Sequence, residues 1–162
     1  MKRFLTALLC LVMLLSTTVV SAETQEEEEF KWGAYMLKAT WLTTDPKEIN
    51  IPNMRKDGLF IMVRFYGVGT PVYFEDIKAI EKNEFTLIDA EKNEYGISTW
   101  LVHKLIKPEG GGFPTTAPEQ EYFDLLFFLE GKTTEAAVGA KLRVSDQLID
   151  LDGIPRELPA NE

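Results

Sequence analysis

Gly58-Leu59-Phe60-Ile61-Met62-Val63-Arg64-Phe65-Tyr66-Gly67 and Tyr122-Phe123-Asp124-Leu125-Leu126-Phe127-Phe128-Leu129 are the two stretches whose reading decides the fold. Each is a short run of aromatic and β-branched residues closed by turn formers, too short for a core helix and too apolar for an edge strand. Both read as central strands. In the second, placing Asp124 outward sends Phe123, Leu125, Phe127 and Leu129 into the core.

Weaker strand signals surround these two. Tyr35, Leu37, Ala39 and Trp41 alternate with Met36, Lys38 and Thr40, a period of two with one face inward. Asp45-Pro46 and Ile51-Pro52-Asn53 mark a loop. A short strand at Val72 to Phe74 is followed by Ile77 and Ile80, spaced for one helical turn. Phe85 to Asp89 turns through Ala90-Glu91-Lys92-Asn93 into Glu94-Tyr95-Gly96-Ile97 as a hairpin. Ala140 to Asp146 supplies the last core strand. Ser98 to Lys107 is ambiguous: Ser98, Trp100, Leu101 and Leu105 suit a helical turn, whereas Val102 and Ile106 suit continued strand. Short strands separated by turns predict an all-β fold of two packed antiparallel sheets, a β-sandwich over residues 33–150 with one or two short helical turns.

The chain starts with basic Lys2 and Arg3, an apolar run from Phe4 to Leu15, and Val20-Ser21-Ala22 at a cleavage position. Residues 1–22 therefore read as a signal peptide, and the working protein as secreted or periplasmic, with anchoring by an uncleaved signal as the alternative. Leu8 and Leu9 before Cys10 do not fit a lipoprotein signal. Cleavage removes 22 of 162 residues and leaves 140, the length of a single domain. Cys10 is the sole cysteine and leaves with the signal, so neither a disulfide nor a thiol nucleophile is available afterwards. Residues 23–32, which open Glu23-Thr24-Gln25 and continue with four glutamates, read as an acidic flexible leader, and residues 151–162, with Gly153, Pro155 and Pro159, as a tail that frays.

Charge narrows the partners. Loss of Lys2 and Arg3 takes the net charge from −9 to −11, which repels nucleic acid and anionic lipid, so no nucleic acid and no membrane contact after cleavage is expected.

Catalytic and metal sites are poorly supplied. Beyond the signal the chain has one histidine, His103, and two serines, Ser98 and Ser145, neither in a G-x-S-x-G turn. One histidine without cysteine does not make a zinc site. Asp89 to Glu94 alternates oxygen ligands but lacks the glycine and the distant glutamate of a calcium loop, and reads as a turn. No catalytic, cofactor-binding or metal-ligating residue is assigned, and no cofactor.

Phe85-Thr86-Leu87-Ile88-Asp89 with a polar turn and Tyr95, followed by Ala117-Pro118-Glu119-Gln120-Glu121 and the apolar strand from Tyr122, resembles a family of bacterial secreted immunoglobulin-like domains. It is similar to the secreted mycobacterial immunogenic-antigen sandwich over about residues 33–146. Glu119 stands where the family has a turn glycine, and the stretch 98–116 is longer than its usual connection. The resemblance implies a sandwich attached to cell-envelope functions and transfers no catalytic residue.

These observations point to a secreted, non-enzymatic interaction or accessory module of the bacterial cell envelope that binds an extracytoplasmic protein. The alternatives are a carbohydrate-binding module that holds cell-wall glycan on exposed aromatics, since Trp32, Trp41, Trp100, Tyr35, Tyr66, Tyr73, Tyr95 and Tyr122 include several that strand alternation places outward, and a small carboxylate-dependent hydrolase drawing on the 26 acidic residues. The longest loop, Lys107 to Pro118, is the candidate binding element: Gly110, Gly111, Gly112, Phe113 and Pro114 form either an apolar anchor on a glycine stalk or a permissive insertion with Phe113 folded back.

Overall fold

The computed structural model describes residues 29–52, 55–108 and 110–157, so the signal peptide and residues 23–28 of the leader lie outside the described residues. The described residues form twelve strands: β1 (Glu29–Trp32), β2 (Tyr35–Thr43), β3 (Gly58–Gly67), β4 (Val72–Tyr73), β5 (Phe85–Ile88), β6 (Glu94–Val102), β7 (Leu105–Ile106), β8 (Thr115–Thr116), β9 (Glu119–Gln120), β10 (Tyr122–Glu130), β11 (Lys141–Val144) and β12 (Gln147–Asp150). Eight form one antiparallel sheet in the order β1-β2-β3-β10-β6-β5-β11-β12, while β4–β9 and β7–β8 are separate two-stranded pairs. Among the described residues, helix is confined to Pro46–Ile49, Phe74–Lys78 and a 3-10 turn at Thr134–Ala137. The fold is all-β with few helical turns.

The two apolar runs pair with each other at the centre, from Tyr122 opposite Tyr66 to Glu130 opposite Gly58. Their continuous apolarity follows from both faces being covered. Leu59, Ile61, Val63 and Phe65 share the main core with Phe123, Leu125, Phe127 and Leu129, each contributing roughly 1.5–3 kcal/mol by burial. Met62 and Leu126, on the opposite face, pack with Trp41 and Ile49 in a second, smaller cluster, and Ile49 belongs to the short helix. That helix starts on Asp45, whose carboxylate accepts from Lys47 N at 2.9 Å, with Pro46 in its first turn.

β6 joins the two halves of the sheet. Its residues Glu94–Gly96 pair with β5 and Ile97–Val102 with β10, so the halves are parts of one continuous sheet. The sheet curls until β3 and β5 meet across the core, with Phe65 and Phe85 ring centroids 5.6 Å apart. The sheet's outer strands are stitched by one side chain: Gln147 on β12 accepts from Lys31 N at 3.1 Å and donates to Lys31 O at 2.9 Å on β1. That bond pair occupies backbone groups an edge strand would otherwise offer to another chain.

Several expectations need correction. The flexible leader does not extend to residue 32, because Glu29–Trp32 is a strand with Phe30 and Trp32 buried against the core. The simple alternation of β2 breaks at a bulge: Ala39 faces Phe65, Trp41 faces Arg64, and Thr40 is the extra residue. Trp41 therefore leaves the face of Leu37 and Ala39 and joins the second cluster, while Leu42 takes the inward position. Asp124 does point away from the main core, but it is fully buried rather than solvent-facing. The ambiguous stretch is strand to Val102 and again at Leu105–Ile106. Residues 151–157 do not fray: Leu151 and Ile154 are buried, and Pro155 O accepts from Leu42 N at 2.9 Å. Residues 158–162 lie outside the described residues.

Candidate interaction site

The loop singled out in the sequence is the end of a hairpin. Leu105 pairs with Thr116 and Ile106 with Thr115, and residues 107–114 connect them. Gly110 (φ 91°) and Gly111 (φ 88°) take conformations in which a side chain is strained, and a Cβ on either would meet nothing within 4 Å. The glycines serve the turn and make room for no packed neighbour. Phe113 is 93% exposed, and Leu105 and Ile106 are 60% and 48% exposed. Phe113 is thus not folded back, and Gly110, Gly111, Gly112 and Pro114 around it are exposed as well.

The hairpin's root is held firmly. Asp124 is 0% exposed, and its Oδ1 accepts from Arg64 Nε at 2.9 Å, its Oδ2 from Arg64 Nη2 at 3.3 Å. His103, one residue beyond β6 and two before β7, sets its Nε2 2.7 Å from the same Oδ2. The cluster is walled by rings. The Arg64 guanidinium lies 4.3 Å from the centroid of Tyr122 and 4.9 Å from that of Trp41, and His103 stacks on Tyr122 at 4.9 Å. Because both ions are desolvated, removing either one costs about 3–5 kcal/mol.

A second lock is neutral. Gln120, 1% exposed, donates from Nε2 to Ala117 O at 2.7 Å and accepts at Oε1 from Lys104 N at 3.2 Å, while Ala117 N donates to Lys104 O at 3.0 Å. Phe74 N donates to Pro118 O at 2.7 Å. Both strands of the hairpin therefore leave the domain through satisfied, buried polar groups, which fixes the direction in which its exposed end projects.

The imidazole and carboxylate of His103 and Asp124 are paired as in a general base with its orienting acid, but neither Ser98 nor Ser145 hydrogen-bonds the ring. In this arrangement the pair holds the start of β7 against β10. A cleft of about 190 Å3 beside it is lined by His103, Lys104, Gln120, Glu121 and Tyr122.

The Asp89 turn is likewise closed. Burial alone would raise the Asp89 pKa, but hydrogen bonds from Asn93 Nδ2 and N, both at 2.8 Å, from Tyr95 OH at 3.0 Å, and from the Lys132 ammonium outweigh it and hold the carboxyl at about 2. Its oxygens are already saturated with donors. Among the described residues no group of three or more histidine, cysteine or acidic side chains is placed to hold a metal ion. Of the aromatics considered for sugar stacking, Trp32 and Trp41 are 6% and 2% exposed and belong to the core, whereas Tyr73 is 50% exposed.

The Arg64–Asp124–His103 cluster escapes a strand-by-strand reading. Its signal was present all the same: each of the two most apolar runs carries one interior charge, and the charges are opposite. Two central strands with single opposite charges can satisfy both by pairing side by side. No protein family, curated protein or solved structure matches the chain.

Proposed function

We propose that this protein is a secreted, non-enzymatic interaction module of the bacterial cell envelope, an immunoglobulin-like domain that captures an extracytoplasmic protein through the β7–β8 hairpin. The observation that carries this is Phe113, 93% exposed beyond a hairpin whose root is pinned by a buried ion pair and a buried glutamine. A ring displayed in this way forgoes the roughly 1.5–3 kcal/mol that burial would give it, and recovers that stabilisation only in a complex. Leu105 and Ile106 on the same hairpin extend the apolar contact. The signal-like residues 1–22 support the location, and the resemblance to bacterial immunoglobulin-like domains supports the class.

The test compares the parent with Phe113→Asp in pull-downs from an envelope fraction, with a photo-crosslinking side chain at residue 105 to mark the contact. Substitution at so exposed a position leaves folding stability within about 0.5 kcal/mol. Capture and crosslink both disappear if the hairpin is the contact. Full capture by Phe113→Asp refutes it.

A further inference from the structure

A second cavity, larger than the cleft beside His103, lies away from the hairpin. It has a volume of about 560 Å3 and sits between the end of β2, the start of β3 and the turn that follows β10. That volume is within the roughly 300–1,000 Å3 of sites for small organic ligands. Its apolar surface includes Pro46, Leu59 and Phe60, and Phe60 is backed by Phe128 at 4.7 Å between ring centroids. In a chain with 26 acidic and 17 basic residues, every charged residue lining this cavity is a cation: Arg55, Lys56 and Lys132.

The three cations are not equivalent. Arg55 donates to Asp57 at 2.9 Å and to Glu130 at 2.9 Å, and Lys132 reaches Glu91 at 2.5 Å and Asp89 at 3.3 Å. Those two are already matched by four carboxylates lying just outside the lining. Lys56 has no ion-pair partner among the described residues. An incoming anion therefore meets one uncompensated ammonium at the rim, with an apolar surface beneath it and carboxylates beyond. That field attracts a single negative charge and opposes a double one.

We infer that this cavity binds a small amphipathic monoanion, an acyl-chain carboxylate, with its head group on Lys56 and its chain along Leu59, Phe60 and Pro46. The site is independent of the hairpin and of the partner-capture reading.

The full domain is titrated with sodium decanoate below its micelle concentration, following displacement of a fluorescent anilinonaphthalene sulfonate probe, with decyltrimethylammonium and decyl phosphate as comparison ligands. Decanoate is expected to bind at least about tenfold more tightly than the cationic or the dianionic analogue. Lys56→Gln should weaken decanoate by about tenfold, the lower end for a hydrogen bond to a charged group, with the melting temperature unchanged because Lys56 is exposed. Phe113→Ala should leave decanoate affinity as it is. The inference is overturned if decanoate does not displace the probe, if decyltrimethylammonium or decyl phosphate binds equally well, if Lys56→Gln has no effect, or if Phe113→Ala abolishes binding and so moves it to the hairpin.

Discussion

Asp124→Asn replaces a carboxylate by an amide of the same shape and takes away the charge that the buried Arg64 faces through its Nε and Nη2. Arg64 is 8% exposed and Asp124 not at all, so water cannot stand in for the lost charge. Breaking such a pair costs about 3–5 kcal/mol. The lower end applies here, because the amide oxygen still accepts from Arg64 Nε and the guanidinium stays between the rings of Tyr122 and Trp41. Against a total stability of about 5–15 kcal/mol, a loss of about 3 kcal/mol is large. With a urea slope of about 2 kcal/mol per molar, the unfolding midpoint should fall by about 1.5 M. The companion variant Arg64→Met/Asp124→Leu removes both charges and keeps the bulk against Trp41. It should regain most of that loss, since replacing a buried pair by apolar residues is often neutral or stabilising. Urea unfolding followed by tryptophan fluorescence measures both. A midpoint for Asp124→Asn within about 0.5 M of the parent, or a double variant less stable than the single one, refutes the claim that desolvated charge dominates this cluster.

Asp89, held at about 2 against an ordinary 3.8, binds its proton less readily folded than unfolded, so its contribution is complete above about pH 4 and is lost as pH falls through 2. Acid titration of stability should show Asp89→Asn with a shallower slope over that window, by an amount on the order of 1 kcal/mol after solvent screening. Gly96→Ala places a Cβ 2.7 Å from Lys82 O, a backbone atom that cannot swing away and that accepts from Ile97 N, so urea unfolding should show a loss of about 1–3 kcal/mol. Gln147→Ala removes the two bonds between β12 and β1, lowering stability by about 1–2 kcal/mol and selectively speeding hydrogen exchange at the Lys31 amide.

The central strands were legible because a run such as Leu125-Leu126-Phe127-Phe128-Leu129 has no other way to bury itself in a short length. The Asp89 to Asn93 hairpin was legible from turn chemistry, and Lys92 does take the positive φ (69°) such a turn demands. What failed depended on partners distant in sequence. β1 hides behind glutamates, and only its pairing with β2 and the pocket for Phe30 and Trp32 reveal it. β12 places only Ile149 in the core, with Leu148 51% exposed, so it has no apolar pattern and exists through pairing with β11. The bulge at Thr40 changes which face Trp41 serves, and no local signal at residues 39–41 marks it. At the hairpin, the glycines and prolines identified the turn, but the direction in which it projects is set by Asp124, which read as an outward strand residue, and by Gln120, which lies before the apolar strand and carries no local signal.

The stitch between Lys31 and Gln147 joins residues 116 apart, and so sets an order of assembly. A chain made from its amino terminus presents β1 and β2 first, yet β1 gains its second neighbour only after β12 has emerged. The central pairing of β3 with β10 also waits for residue 122. Contacts of such long range close slowly. The neighbouring pairs β1–β2–β3 and β5–β6 can form by residues 67 and 102, but they stay separate hairpins with uncovered apolar faces until β10 joins β3 to β6, so the core closes late. Until then the hairpins' apolar faces depend on chaperones rather than on a finished core to keep them from aggregating.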